Sequence, residues 1–173
     1  LFRDVRFAVA NVASFSLGLA SYSSVFLFSM FLQQAQGWSP TQTGLRMAPI
    51  FVLQMLVSPL VGRLGARFGL TTVMTAGYAA FGVSMLGMCW AGPTTPYLAI
   101  GLLFALGGFG NALAVPSSNT AAMSYAPRER SGMVSAVINA TRQSGTAIGI
   151  ALLGALMSMR ATSLLTGRLA DAG

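Results

Sequence analysis

Pro127–Gly154 reads PRERSGMVSAVINATRQSGTAIGIALLG. It opens on charge, with Arg128, Glu129 and Arg130, and passes at once into a long apolar run. Arg142 stands inside that run. Beyond it come Gly145 and Gly149 in GxxxG spacing, then Gly154. A water-soluble domain has little use for this combination. A membrane helix that packs closely on a neighbour and lines a polar path uses all of it.

The rest of the chain carries the same signal. Only 8% of its 173 residues are charged, against about 25% in soluble domains. Mean hydropathy is +0.70. Both values point to an integral membrane protein. The net charge of +7 is no nucleic-acid signature, because the ten basic residues, all arginine, are dispersed at the ends of apolar runs. Histidine is absent and Cys89 is alone in an apolar segment, so a disulfide or cysteine-based metal site is excluded. The acids Asp4, Glu129 and Asp171 fall in connections or terminal segments. An enzyme site built on metal or paired carboxylates is therefore not expected, nor is a cofactor. Leu1–Ala10 does not read as a signal peptide. It lacks an initiating Met and sets Arg3, Asp4 and Arg6 before a hydrophobic run too long for an h-region. Leu1 has the look of a cut within a longer chain.

A spanning helix needs about 20 mostly apolar residues. Five runs meet this, at about 7–32, 43–61, 72–91, 96–123 and 132–159. Glycine and proline inside them are compatible with membrane helices, where neighbours satisfy the freed backbone groups. The connections are short. Gln33–Gln42 contains Gly37 and Ser39-Pro40, a turn followed by a helix start with Pro40 near the first position. Gly62–Thr71 carries Arg63 and Arg67, Gly92–Pro96 is uncharged, and Ser124–Ser131 carries Arg128 and Arg130. Residues 160–173 read as a polar tail.

The arginines orient the runs. If five helices alternate, Arg3, Arg6, Arg63, Arg67, Arg128 and Arg130 share one side, and Arg46, Arg160 and Arg168 the other. The positive-inside rule makes the first side cytoplasmic. The N-terminus is then inside and the C-terminus outside a multi-pass plasma (inner) membrane protein. Trp38, Trp90 and Tyr97 sit at the outer ends, as interfacial aromatics do.

Polar residues within the runs are the candidate site. Arg142 lies near mid-bilayer, where a charge costs at least about 2.5–3.5 kcal/mol. Asn139 is one turn before it and Thr146 one turn after. Two readings stay open: a cavity residue that contacts substrate or couples to an acid elsewhere, or a structural arginine bonded to carbonyls of another helix. Gly145, Gly149 and Gly154 suit close helix packing or a gate seal. Asn11, Phe15, Gly18 and Tyr22 recur at helical spacing in the first run; Asn111, Val115, Ser118 and Asn119 do so beside Pro116 in the fourth. These stripes, with Asn11, Tyr22, Asn111 and Asn119 as their key polar members, suit interhelical hydrogen bonds first and, as the alternative, a cavity for amphipathic molecules. The third run has the least polar middle and is expected to be the most lipid-exposed.

Phe31-Leu32-Gln33-Gln34, Gln36-Gly37-Trp38-Ser39-Pro40 and Gly44-Leu45 resemble a helix-loop-helix signature of the fourteen-helix drug:proton antiporter family of the major facilitator superfamily. Gly62-Arg63-Leu64-Gly65-Ala66-Arg67-Phe68-Gly69 resembles that superfamily's cytoplasmic loop motif, G-x-L-x-D-R-x-G. Pro127–Arg130 with Asn139, Arg142, Gln143, Gly145 and Gly149 is similar to the family's penultimate helix. The resemblance implies an all-α integral membrane fold, with residues 1–159 forming most of a six-helix C-terminal half. The tail at 160–173 would be extracytoplasmic and lead to a final helix. It further implies alternating access around a midplane cavity, lined by the first and fourth runs and bordered by the fifth. The implied function is proton-coupled efflux of amphipathic drugs or other organic compounds, hence antibiotic resistance. The implied partners are a small-molecule substrate, protons, the lipid bilayer and the transporter's remaining helices. Within the loop motif, Gly62, Leu64, Arg67 and Gly69 match, Arg63 stands at an unspecified position, and Ala66 replaces the usual acid, so that the gate lock is weak here or is held by the other half. Proton coupling would need carboxylates outside this chain. A dedicated exporter of one metabolite or antibiotic, and a truncated fragment that transports nothing, are the other readings.

Overall fold

A computed structural model of the chain describes residues 5–124 and 131–170. Arg3, Asp4, the Arg128–Glu129–Arg130 cluster and Asp171 lie outside the described residues. The first apolar run forms α1 (Val5–Met30) and continues into a π-helical turn, Phe31–Ala35. There the amide of Gln36 donates to the Phe31 carbonyl at 3.3 Å. Gly37 turns the chain at φ +73°, a conformation glycine adopts without penalty. Ser39 then caps α2 (Pro40–Val57). Its Oγ accepts from the Gln42 amide at 3.3 Å, and the Gln42 side chain accepts from the Ser39 amide at 3.1 Å. Pro40 holds the first helical position, where its missing N–H leaves nothing unsatisfied. The turn and helix start expected at Ser39-Pro40 are the ones found.

The second run does not stop at Val61. A 3-10 turn at Ser58–Leu60 tightens the helix at Pro59, which has no N–H for the preceding turn. The chain then goes straight into α3 (Val61–Phe68). The stretch Gly62–Thr71, expected to be a connecting loop, is thus helical as far as Phe68. Charge and glycine mark where a helix leaves lipid, not where its hydrogen bonds end. Arg63 and Arg67 stand four residues apart, one turn along an exposed face of α3. The loop shrinks to Gly69, at φ +85° and ψ 141°. Its amide donates to the Gly65 carbonyl at 3.0 Å, and its carbonyl accepts from Val73 at 3.2 Å. Of the glycines in this motif only Gly69 makes the turn; a Cβ at Gly62 would meet open space. Gly69→Ala is expected to cost about 1–3 kcal/mol in backbone strain, read as a lower melting temperature, while Gly62→Ala costs nothing. Equal melting of the two variants would reject this junction.

α4 (Leu70–Cys89), α5 (Tyr97–Ser124) and α6 (Ser131–Ala170) complete the chain. α6 runs past Met159, where a polar tail was expected. Residues 160–170 contain no proline and are rich in alanine and leucine, so the helix continues after the apolar run ends. No strand occurs among the described residues, in line with the all-α expectation. Four segments among them are long and apolar enough to cross a membrane: Phe7–Ala35, Pro40–Phe68, Leu70–Cys89 and Tyr97–Ala121.

Small residues set the packing. Gly77 of α4 meets Gly110 of α5: a Cβ on Gly77 would lie 2.9 Å from the Gly110 carbonyl, and one on Gly110 would lie 2.7 Å from that of Gly77. One α-helical turn or more away, Ser84 donates to the Leu103 carbonyl at 2.7 Å and closes on Gly107. Gly108 lets α5 rest on the backbone of Ile50 in α2. The main core joins α1, α2 and α5 through Phe28, Leu32, Met47, Ile50, Ile100 and Phe104. The Phe28 and Phe104 rings there are 5.0 Å apart. Val61, Val73 and Leu113 hold α3, α4 and α5 together. The third run, expected to be the most lipid-exposed, is not the least covered within this chain. In α4, 22% of the spanning window is buried, against 17% in Pro40–Phe68. A glycine and serine face receives α5 there, and hydropathy does not register such a face.

Candidate functional site

The polar residues of α1 and α6 meet along one seam. Asn11 is buried, donates from Nδ2 to the Phe7 carbonyl at 3.1 Å, and accepts from Thr141 Oγ1 at 3.2 Å. Further along the seam, Thr146 Oγ1 lies 3.2 Å from the Gly18 carbonyl and 3.0 Å from its own helix's Arg142 carbonyl. Gly18 is packed against the Arg142 backbone so closely that a Cβ would overlap the Arg142 carbonyl oxygen. Gly145 stands in the same relation to the Phe15 carbonyl. A Cβ on Gly149 would lie 2.7 Å from the Leu19 carbonyl and would overlap the Ser23 hydroxyl. Phe7, Val134 and Ile138 close the seam at one end. Gly154 takes no part, since a Cβ there would meet nothing within 4 Å.

Arg142 belongs to the seam by its backbone and its Cγ, and its guanidinium is held by its own helix. The guanidinium Nη2 donates to Asn139 Oδ1 at 2.5 Å. Asn139 is exposed and Arg142 half-buried, with its Cγ against Gly18 of α1. All three acids of the chain lie outside the described residues, so no carboxylate faces Arg142 among the described ones. Thr146, expected to share this polar face, turns instead into the seam.

The other candidates are dispersed. Asn111 is buried between α1, α4 and α5 and its Oδ1 has no partner. Asn119 is half-buried in the last third of α5, and Tyr22 is exposed on α1. Asn139 and Arg142 are thus paired on α6 and Asn11 bonds across the seam to Thr141, whereas Tyr22, Asn111 and Asn119 are not gathered with them. Gly62, Arg63 and Arg67 lie on α3 and Gly69 at its end.

Two polar clusters escaped the sequence reading. Tyr78, in the apolar middle of α4, donates to the Ala13 carbonyl at 3.3 Å and sits 3.1 Å from Ser118 Oγ. It ties α4 to both α1 and α5, and a lone tyrosine inside an apolar run is the signal that could have found it. At one end of the bundle, the Arg46 guanidinium lies over the Trp38 ring at 3.5 Å and the Tyr97 ring at 4.6 Å. Tyr97 OH donates to the Arg46 carbonyl at 3.0 Å. Gln36 Nε2 donates to the Thr95 carbonyl at 3.2 Å and its Oε1 accepts from Trp38 Nε1 at 3.1 Å. A cation between two aromatic faces thus clasps the α1–α2 and α4–α5 connections.

An apolar groove of about 450 Å³ runs beside α1, lined by Leu27, Phe31, Met85, Met88 and Met157 among others. It continues into a second of about 360 Å³ beside α6.

A family model described as Major Facilitator Superfamily matches residues 1–170. The chain is 34% identical over 160 residues to the multidrug resistance protein Stp of Mycobacterium tuberculosis, which covers 91% of this chain and 29% of that protein. It is 29% identical over 157 residues to the methylenomycin A resistance protein of Streptomyces coelicolor, covering 91% of this chain and 33% of the relative. It is 31% identical over 173 residues to the tetracycline resistance determinant of Streptomyces rimosus, covering 99% of this chain and 48% of the relative. The chain spans less than half the length of each of these curated relatives.

Proposed function

The chain belongs to the Major Facilitator Superfamily, and on that premise we propose that it is part of a proton-coupled exporter of amphipathic organic compounds. It is a multi-pass membrane protein, and its family is one of transporters rather than enzymes. The proposed transporter sits in the plasma membrane, with the chain's first residues cytoplasmic. The distribution of arginines supports that orientation. In this reading α6 is a fifth span beside the four apolar ones, because the α1–α6 seam aligns it with α1. The groove beside α1 is covered by remaining helices of the same transporter.

The observation that carries the reading is the Asn139–Arg142 pair, a guanidinium held on the uncovered face of an apolar helix. A charge so placed belongs to a wet path or to a partner across it. The printed names of the relatives, which concern multidrug, methylenomycin A and tetracycline resistance, support drug export. The names that specify one antibiotic favour a second reading, a dedicated exporter of a single compound.

The test is transport by the intact transporter in an efflux-deficient host, with and without a proton uncoupler. Export of several unrelated amphipathic compounds that stops on uncoupling is the expected result. Export of one compound alone selects the dedicated exporter. Export that survives uncoupling rejects proton coupling, and no export at all rejects the transport reading.

A further inference from the structure

Where α1, α2, α4 and α5 converge, a narrow, partly open crevice remains between them, with room of about 10 Å³ for a water-sized probe. Two buried polar atoms in its lining have no hydrogen-bond partner, Ser21 Oγ on α1 and Asn111 Oδ1 on α5. Ser21 is 2% exposed and Asn111 8%. Two further hydroxyls line it but have already spent their protons, Ser24 on the Ser21 carbonyl at 2.8 Å and Ser84 on the Leu103 carbonyl at 2.7 Å. Each keeps lone pairs that can accept.

We infer that this crevice holds one ordered water that bridges Ser21 of α1 to Asn111 of α5. Its volume is about that of one probe sphere, the minimum a water needs. Its chemistry matches as well. Asn111 Oδ1 requires a donor, Ser21 offers a hydroxyl, and Ser24 and Ser84 offer acceptors. A water, with two protons and two lone pairs, donates to Asn111 and to one serine oxygen and accepts from Ser21. A buried amide oxygen left without such a donor costs about 1–3 kcal/mol. A bare cation fits less well, because the lining oxygens named here are all neutral and none can offset its lost hydration. The water also changes what the α1–α5 contact is. α4 meets α5 and α6 meets α1 backbone to backbone through glycine. Beside the direct Phe28–Phe104 contact, the polar part of the α1–α5 contact at this level then runs through an exchangeable molecule.

The test is radiolytic hydroxyl labelling of the intact transporter in nanodiscs, read by mass spectrometry. Phe104 is 1% exposed and Phe81 8%, and both line the crevice, so water held there generates radicals beside them. Oxidation of both rings is expected, with slow uptake of oxygen isotope from added labelled water. Asn111→Leu removes the acceptor and fills the space, and oxidation of both rings should fall to the level of residues in lipid contact. Ser21→Ala, a smaller change, should lower it as well and serves if Asn111→Leu does not fold. Unlabelled rings in the wild-type protein would overturn the inference, as would labelling unaffected by either variant. A melting temperature raised by sodium but not by choline, together with loss of labelling in sodium, would overturn it in favour of a cation.

Discussion

Gly145→Val is expected to leave little folded transporter, whereas Gly154→Val, nine residues further along the same helix, is expected to be tolerated. Both glycines belong to one apparent small-residue stripe in the sequence, so the contrast rests on the structure. A Cβ at position 145 overlaps the Phe15 carbonyl oxygen and stands 3.2 Å from the Leu19 amide, and a Cβ at 154 meets nothing within 4 Å. The obstacle at 145 is backbone, which cannot turn aside as a flexible side chain can. Overpacking of this kind costs about 3 kcal/mol at the upper end of the usual range, and valine's branched β-carbon adds to it. Outside such a contact, replacing a helical glycine by alanine gains up to about 1 kcal/mol. Gly154→Ala is therefore expected to be neutral or stabilising and Gly145→Ala destabilising, so the two substitutions differ in sign. Gly18→Ala tests the other side of the seam, where the clash is with the Arg142 carbonyl. Melting of the purified transporter in detergent, with monodispersity on gel filtration, reads all five. If Gly145→Val melts with the wild type, α1 and α6 do not pack as described.

How far the sequence carried the fold can be judged at single residues. Ser39-Pro40 announced the start of α2 because the capping chemistry is local, a serine, a proline and a glutamine within four positions. Gly145 and Gly149 announced a close contact because the spacing alone puts them on one face. Hydropathy failed at Gly62–Phe68 and again after Met159, for one reason. It reports where a helix is comfortable in lipid, and hydrogen bonding runs on past that point in α3 and α6. The site was less legible. Asn11 looked like a cavity residue or an interhelical bond, and its actual partner, Thr141, is 130 residues away in sequence. Choosing between those readings needs to know that α6 lies beside α1, which no local pattern states. The Arg46 clasp was hidden in the same way. Trp38, Arg46 and Tyr97 each looked like an ordinary residue of the membrane interface, and it is folding that places the guanidinium between the two rings.

Arg142→Ala is expected to abolish resistance in the efflux-deficient host while expression, membrane insertion and melting temperature persist. What makes this a sharp test is how α6 uses the residue. The seam takes the Arg142 carbonyl, against Gly18 and Thr146, and truncating the side chain leaves that carbonyl in place. The guanidinium contributes a single described hydrogen bond, to exposed Asn139. An arginine retained only for packing would carry a desolvation cost of at least about 2.5–3.5 kcal/mol with a neutral amide as compensation. Its removal would then leave the protein as stable as before, or more so, and fully active. A guanidinium that meets substrate, or an acid in the rest of the transporter, gives the opposite result, stable protein without export. A hydrogen bond to such a charge is worth about 1.5–3 kcal/mol, which is at least tenfold in transport. Arg142→Lys separates the two kinds of partner. Lysine keeps the charge and loses the planar fork, so a bidentate contact fails while a purely electrostatic one survives. Asn139→Ala, which frees the guanidinium without removing it, should cost less than Arg142→Ala. Normal export by Arg142→Ala would return the residue to a packing role and leave the uncovered face of α6 without an assigned function.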